Sequence, residues 1–350
     1  MSTALAARFF PEDDAHKKSQ LQIEMELTDC LSCGANDSDT VIVASDPVTG
    51  LGGNFRVVRC RGCDLVYTNP RPTQACIGQF YPDDYLPYAS RDEKNDLLTR
   101  FKRKCERAVL EQFYGYPASS NSLSRFYATL GKLLIRRSRQ RQSWIPYRSP
   151  GRLLDFGCGA GYFLKEMKGF GWDVQGLDFS PEVAQKVFEE SKIKVHVGTL
   201  PHPEVKEDSF DAVTMWNSLE HVYDPRQTIA EAGRLLRQRG VLVIGVPNFD
   251  SWGYETFQQD WQGLELPRHL THFTPETLQK MVEDRGFRTL ELNHIARVGW
   301  IRSSARRATK HDRGGRFFKM LAWKPFGIRI AERSEKRKKA DFIRIVAEKI

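Results

Sequence analysis

The sequence predicts an α/β protein: a Rossmann-like sheet with helices on both faces, preceded by a small β-rich module and a helical connector. Three observations carry this. From Gly151 onward, strand-sized apolar runs alternate with amphipathic helical stretches, the pattern of a parallel sheet covered on both sides. A glycine-rich turn, "LLDFGCGAGYFL" at residues 153–164, joins the first of these strands to the first helix. Ahead of the sheet stand two Cys-x-x-Cys pairs.

With 350 residues and 40% apolar content, the chain is long enough for one full α/β domain plus a smaller one. Residues 1–26 are polar and without sustained periodicity, a frayed lead-in. Residues 27–72 form the cysteine module, with strand-like "TVIVA" and "FRVVRC" around the turn-rich "DPVTGLGGN". Residues 73–148 are the connector, helical at 96–114 and 122–142. Residues 149–350 form the main domain, in which strands are expected at 151–156, 173–178, 193–197, 210–216 and 240–246. Helices fall between them at 160–169, 181–191 and 225–238, with Pro181 and Pro225 in first turns. Thr274 and Pro275 suit the cap and first turn of a further helix. "FRTLELN" and "DFIRIVAEK" alternate like strands and enclose a basic amphipathic insertion at about 300–338.

Composition narrows the function classes. No run of about 18 apolar residues occurs, and the N-terminus lacks an apolar signal region with a cleavage site, so a cytoplasmic protein is expected. Seven cysteines, four of them in the two pairs, fit a reducing compartment and a metal better than a disulfide scaffold. The net charge of +9 is concentrated: residues 301–350 carry 16 Lys/Arg against 5 Asp/Glu. Such a tail suits phosphate groups on an acceptor, an anionic membrane surface or a nucleic acid. No recognition-helix, RNA-recognition or aromatic-stacking pattern accompanies it, so charge alone carries the nucleic-acid reading.

The glycine loop departs from the dinucleotide fingerprint. The third glycine of Gly-x-Gly-x-x-Gly would fall at Tyr162, and Asp155 precedes the loop, where it would repel a pyrophosphate but suit a cationic ligand. Asp178 ends the next strand, in "VQGLDFS", where a carboxylate can accept from both hydroxyls of a ribose. S-adenosylmethionine combines a sulfonium and an ammonium with a nucleoside and no phosphate. As a set, "LLDFGCGAGYFL", "VQGLDFS", "SFDAVTMWNSLEHVYDP" and "EAGRLLRQRGVLVIGVPN" resemble the successive motifs of the class I S-adenosylmethionine-dependent methyltransferases, over residues 151 to about 293. The resemblance implies a seven-stranded sheet whose last strand runs antiparallel. It also implies that Asp155, Gly157, Gly159 and Gly161 cradle the methionine part, Asp178 the ribose and Phe179 the adenine face, with Leu200 and Trp216 or Asn217 lining the rest. Thr199 and Leu200 stand where many relatives carry an acidic residue for the adenine amino group.

Cys30, Cys33, Cys60 and Cys63 offer four thiolates in two knuckles, the chemistry of structural zinc with no open position for catalysis. With "RCRGCDLVYTNPRPT" and the tyrosines at 81, 85 and 88, this module resembles the N-terminal zinc-binding segment of sugar methyltransferases and related polysaccharide-pathway enzymes. The expected reaction is methyl transfer to a hydroxyl, or a carbon, of a sugar-like or other small acceptor, phosphate-bearing or lipid-linked. "LEHVYDP" also resembles quinone-precursor O-methyltransferases, against which the cysteine module argues.

For a hydroxyl acceptor a proton must leave, and His221, just beyond the fourth strand, is the expected general base. Glu220 is expected to orient or cap. In "LELPRHLTHFTPETL", Arg268, His269 and His272 are expected to position substrate or assist the base, like a Pro-Arg-His-x-x-His-Phe loop of related enzymes. No carboxylate or cysteine sits near His269 and His272 at metal-ligand spacing. Residues 313–330 combine Phe317, Phe318, Leu321, Trp323 and Phe326 with Arg316, Lys319, Lys324 and Arg329. They form either a peripheral membrane contact at the inner face or a lid, with Pro325 and Gly327 interrupting any long helix.

Overall fold

A computed structural model describes residues 23–82, 97–118, 124–135 and 144–350. Tyr85 and Tyr88, residues 1–22 and part of the connector lie outside the described residues. The N-terminal segment folds as short antiparallel strands: β1 (Met25–Glu26), β2 (Ser38–Ser45), β3 (Asn54–Cys60), β4 (Val66–Thr68) and β5 (Arg71–Pro72). Two connector helices follow, α1 (Leu97–Phe113) and α2 (Ser124–Ile135).

The main domain alternates as expected. β6 (Arg152–Phe156), α3 (Tyr162–Gly169), β7 (Asp173–Asp178), α4 (Pro181–Ser191), β8 (Val195–Val197), β9 (Phe210–Trp216), α5 (Pro225–Leu235) and β10 (Leu236–Pro247) form its first part. Local chemistry explains the helix starts: Ser180 and Asp224 accept from the backbone N–H of Val183 and Gln227, one turn on, and Pro181 and Pro225 preset the first turns. The α5 pattern stops at Leu235 rather than 238, because Leu236 already pairs with Phe210 of β9. Then come α6 (Trp252–Phe257), β11 (Thr271–His272), α7 (Pro275–Glu283), β12 (Phe287–Ile295), α8 (Val298–Lys310), α9 (Gly315–Leu321), α10 (Lys324–Lys336) and β13 (Phe342–Lys349).

Seven strands form one sheet in the order β12-β13-β10-β9-β6-β7-β8. β13 runs antiparallel to both neighbours, while the strands from β10 to β8 are parallel. The chain leaves the central β6 toward β7 and β8 and returns to β9 on the other side. This reversal opens a crevice beyond the carboxyl ends of β6 and β9, where sheets of this class bind ligands. One face of the sheet packs Leu154, Val213, Leu242 and Ile345 against the cysteine module and α7; the other packs Leu153, Ala212, Val243 and Val346 against Leu164, Met167 and the connector's Trp144 and Ile145.

The cysteine module does not close on itself. Its sheet has the order β11-β4-β3-β2, so β4 pairs with Thr271 and His272 of the main domain. The insertion between β12 and β13 packs Ile301, Ala305, Ala308 and Leu321 against Phe257, Trp261 and the module's Phe55. Its helical break falls before Lys324, where α10 begins: Pro325 lies in its first turn rather than interrupting it, a position where the missing N–H costs nothing. Gly327 lies inside that helix, in close contact with Arg302 of α8. Among the described residues no helix is long and apolar enough to cross a membrane.

Candidate active site

The glycine loop leaves β6 with Gly157, Gly159 and Gly161 at φ of 70°, 48° and 71°, the left-handed region that side chains avoid. At Gly157 space also decides: a Cβ would lie 2.6 Å from Cβ of Ser218. The loop therefore runs against the segment that follows β9. At the same end, the two oxygens of Asp178 accept from the N–H groups of Gly159 (2.9 Å) and Ser180 (3.1 Å). Asp155 is buried and accepts from the Thr214 hydroxyl at 2.7 Å. Burial raises its carboxyl to about 7, and the neighbouring Asp178 adds to the rise. Burial raises Asp178 as well.

These features fit a cationic nucleoside ligand. The loop presents bare backbone, and a buried carboxylate that burial pushes up is a group that gains by meeting an ammonium. Polar atoms await partners at the same place: among the described residues the buried Ser218 Oγ and Trp216 Nε1 have none. Trp216 rests edge-on against Phe163, with ring centroids 5.5 Å apart. Asn217 takes a φ of 51° and donates its N–H to the Gly245 carbonyl. Phe179 is exposed and meets the ring of Tyr81 at 5.7 Å. Leu200 is instead a core residue, packed with Phe156 and Leu177 beneath the cleft.

Tyr81 ties this cleft to the expected base. His221 Nδ1 lies 3.0 Å from the Tyr81 hydroxyl and 3.0 Å from the Arg268 carbonyl. A carbonyl only accepts, so Nδ1 carries the hydrogen and Nε2 keeps its lone pair. His269 is fixed the same way: Nδ1 donates to the Gly263 carbonyl at 2.9 Å, and Nε2 lies 4.0 Å from Glu220 Oε1. The two imidazole rings are 4.7 Å apart, nearly perpendicular. Burial pushes His221 down to about 3 and His269 below its ordinary value, so both rings are neutral. Glu220 neither orients a neighbour nor caps: 1% exposed, its two oxygens have no hydrogen-bond partner among the described residues, and burial raises it to about 8.

Two residues of the Arg-His-x-x-His loop take other places. Arg268 is fully buried, bidentate to Asp46 of the module at 3.0 and 2.7 Å, and it donates to the Phe80 carbonyl. Satisfied in this way, it has no hand left for a substrate. His272 is buried between the Thr68 hydroxyl, 3.2 Å from Nε2, and the ring of Phe249. Its ring meets that of His269 edge-on, with centroids 6.4 Å apart. Asp46 and Thr68 were missed in the sequence because their partners lie more than 200 residues away.

The cysteines converge from two knuckles. Cys30 and Cys63 sulfurs lie 3.4 Å apart, Cys33 and Cys60 sulfurs 3.5 Å apart, and all four lie within 4.8 Å of one another. Each knuckle turns through a left-handed residue, Gly34 at φ 76° and Asp64 at φ 61°; aspartate tolerates that conformation, which explains why it can replace glycine. Ser32 and Gly62 aim N–H groups at the sulfurs of Cys30 and Cys60. Four sulfurs so placed fit tetrahedral zinc, with every coordination position taken.

The family described as Methyltransferase domain matches residues 127–292. The ubiquinone biosynthesis O-methyltransferase of Thiobacillus denitrificans is 30% identical over 172 residues, covering 43% of this chain and 72% of that protein. Its namesake from Aromatoleum aromaticum is 30% identical over 168 residues, 43% of this chain and 71% of that one. Among solved structures, an S-adenosylmethionine dependent methyltransferase from Mesorhizobium loti is similar with a TM-score of 0.41 and 18% identity, over 60% of this chain and 95% of that chain. The chain belongs to the class I S-adenosylmethionine-dependent methyltransferases. The cysteine module lies outside the matched domain.

Proposed function

We propose that this methyltransferase methylates a hydroxyl oxygen of a small, sugar-like acceptor seated over His221 and His269. The observation that carries the reading is His221 itself: a neutral imidazole whose Nδ1–H is held by a backbone carbonyl, leaving the lone pair on Nε2, in the segment after β9 that the glycine loop meets at Ser218. Bound S-adenosylmethionine supplies the methyl group on a sulfonium, already an excellent leaving group. The chain's residues then have two tasks, alignment and removal of the hydroxyl proton. Asp155 would meet the ammonium, the glycine backbone the methionine chain, Asp178 the ribose hydroxyls and Phe179 the adenine, with Trp216 and Asn217 forming the surrounding wall. His221 Nε2 would receive the proton. Cys30, Cys33, Cys60 and Cys63 would hold a structural zinc.

A second reading places a phenolic quinone precursor on the same histidines, favoured by the names of the relatives from Thiobacillus and Aromatoleum. Incubating the enzyme with S-adenosylmethionine and either nucleotide-linked sugars or catechols, and identifying the methylated product, decides between them. Methylation of neither class would overturn both.

Binding of S-adenosylmethionine should depend on pH through Asp155. Its carboxyl, held near 7 by burial, must be ionised to pair with the ammonium, so the free protein binds well above that value and less well below it. Between pH 7.5 and 6 the affinity should fall by close to tenfold. Asp155→Asn should bind weakly at both values with no such slope. Calorimetry at the two pH values reads this, and an equal slope in the variant would remove Asp155 from the site.

The insertion supports a further part of the reading, a contact with anionic membrane that would deliver lipid-linked acceptors. Phe317 and Trp323 are 47% and 62% exposed, flanked by Arg316, Lys319 and Lys324, whereas Phe318 and Leu321 pack inward. Sedimentation with anionic vesicles should be salt-sensitive and lost in Phe317→Ala/Trp323→Ala. Absence of binding at low salt would leave the segment as a lid.

A further inference from the structure

We propose that Glu220, His221 and His269 form a second metal site, which takes one divalent cation of the zinc or manganese class on the acceptor side of the cleft. One carboxylate oxygen and one ring nitrogen from each histidine lie within 4.8 Å of one another. The donor set, two imidazoles and a carboxylate, is one that binds such ions with a position to spare.

Three further observations point to an ion rather than to packing. Both oxygens of Glu220 are buried with no hydrogen-bond partner among the described residues. Leaving a buried polar group without partners is costly, so each such group calls for a reason, a ligand that completes it being one. Each histidine also spends its Nδ1–H on a backbone carbonyl, Arg268 for His221 and Gly263 for His269. This is how proteins orient imidazoles whose Nε2 binds metal. Finally, the adjacent positive charge is already neutralised, since the Arg268 guanidinium is clamped by Asp46. Glu265 adds a second carboxylate 3.8 Å from His269 Nε2.

His221 is half-buried while Glu220 and His269 are buried, so an acceptor would reach the ion from the His221 side. The site rests on the hydroxyl-acceptor reading and deepens it: the acceptor oxygen would bind there, and His221 Nε2 would hold the ion in place of receiving the proton itself. An ion-bound hydroxyl is more acidic; it would release its proton to water, and its lone pair would attack the methyl as the sulfonium–carbon bond breaks.

Cobalt(II) titration of the full chain carrying a single equivalent of zinc, which the four thiolates take first, tests the site without using activity. One equivalent of cobalt should bind beyond the zinc, with weak visible absorption and none of the charge-transfer bands of a thiolate site. Two paramagnetically shifted imidazole N–H signals, one from each histidine, should appear in the proton NMR spectrum. Loss of an outer partner alone weakens metal sites about 10–100-fold, so Glu220→Gln and His269→Ala should each weaken cobalt by more than about tenfold. Retained zinc and unchanged S-adenosylmethionine affinity would show that the variants fold. No cobalt beyond the cysteine site, no shifted N–H signals, or equal binding by folded variants would overturn the proposal. Specific cobalt binding by an enzyme that methylates no hydroxyl would sink the acceptor reading and leave the site standing.

Discussion

Cys60→Ser is expected to abolish methyl transfer while leaving S-adenosylmethionine binding nearly intact. Zinc held by four thiolates contributes on the order of 10 kcal/mol to the folding of a small module, comparable to the whole stability of a domain. Without the proposed zinc, nothing would join the two knuckles at Cys30 and Cys60, and the strands that share the core with them, carrying Val58 and Tyr67, would lose their anchor. The damage then crosses into the other half of the protein. β4 pairs with β11, Thr68 donates to the His269 carbonyl at 2.8 Å, and Asp46 clamps Arg268, whose carbonyl in turn orients His221. Asp155 and Asp178 end β6 and β7, whose Leu154 and Leu177 share a core with the module, but their own hydrogen bonds go to Thr214, Gly159 and Ser180, none of which belongs to it. Turnover, calorimetric affinity and limited proteolysis of the N-terminal module measure the three effects separately. A cysteine variant is a cleaner probe than a chelator, which would also strip the ion proposed at Glu220, His221 and His269. Normal turnover by Cys60→Ser, or a wild-type protein that carries no zinc, would contradict the account.

What the sequence made legible was local. The glycine loop, the two acids at strand ends and the two cysteine knuckles each sit within a short stretch, and each shows its chemistry there. The stretch 241–246 of β10, VLVIGV, is readable because a buried strand is a continuous apolar run; Asp173–Asp178, DVQGLD, is legible only from its place between two helical stretches. The composition of the acceptor site was not readable. Glu220 and His269 meet only through the crossing of two loops, so the missing carboxylate that argued against a metal beside His269 was supplied from the end of β9. Arg268 looked like a substrate-binding residue because a charged side chain in a loop usually faces solvent. Its role changed once Asp46, from another part of the chain, was placed against it. Pro325 misled in the opposite direction: proline breaks a helix in its middle but starts one in its first turn, and only the register tells the two apart.

His221→Ala should lower kcat by about 10²–10⁴-fold, the range that a positioned acid or base supplies, with little change in S-adenosylmethionine affinity. The pH profile carries the more demanding part of this expectation. Burial, with His269 beside it, holds His221 near 3; its folded value is below its ordinary one, so the ring stays neutral, and usable, at every pH above about 3. The kcat at saturating S-adenosylmethionine should therefore show no acid limb near 6.5, the ordinary histidine value. In contrast kcat/KM for S-adenosylmethionine should fall below about 7, because that quantity includes Asp155 in the free enzyme. Added imidazole should restore part of the activity of His221→Ala by refilling the space with a free lone pair. Whether that lone pair takes the proton or holds the ion, its removal is costly, and the cobalt stoichiometry separates the two. A loss smaller than about tenfold, without rescue, would reduce His221 to a packing partner of Tyr81 and move the proton acceptor elsewhere in the cleft.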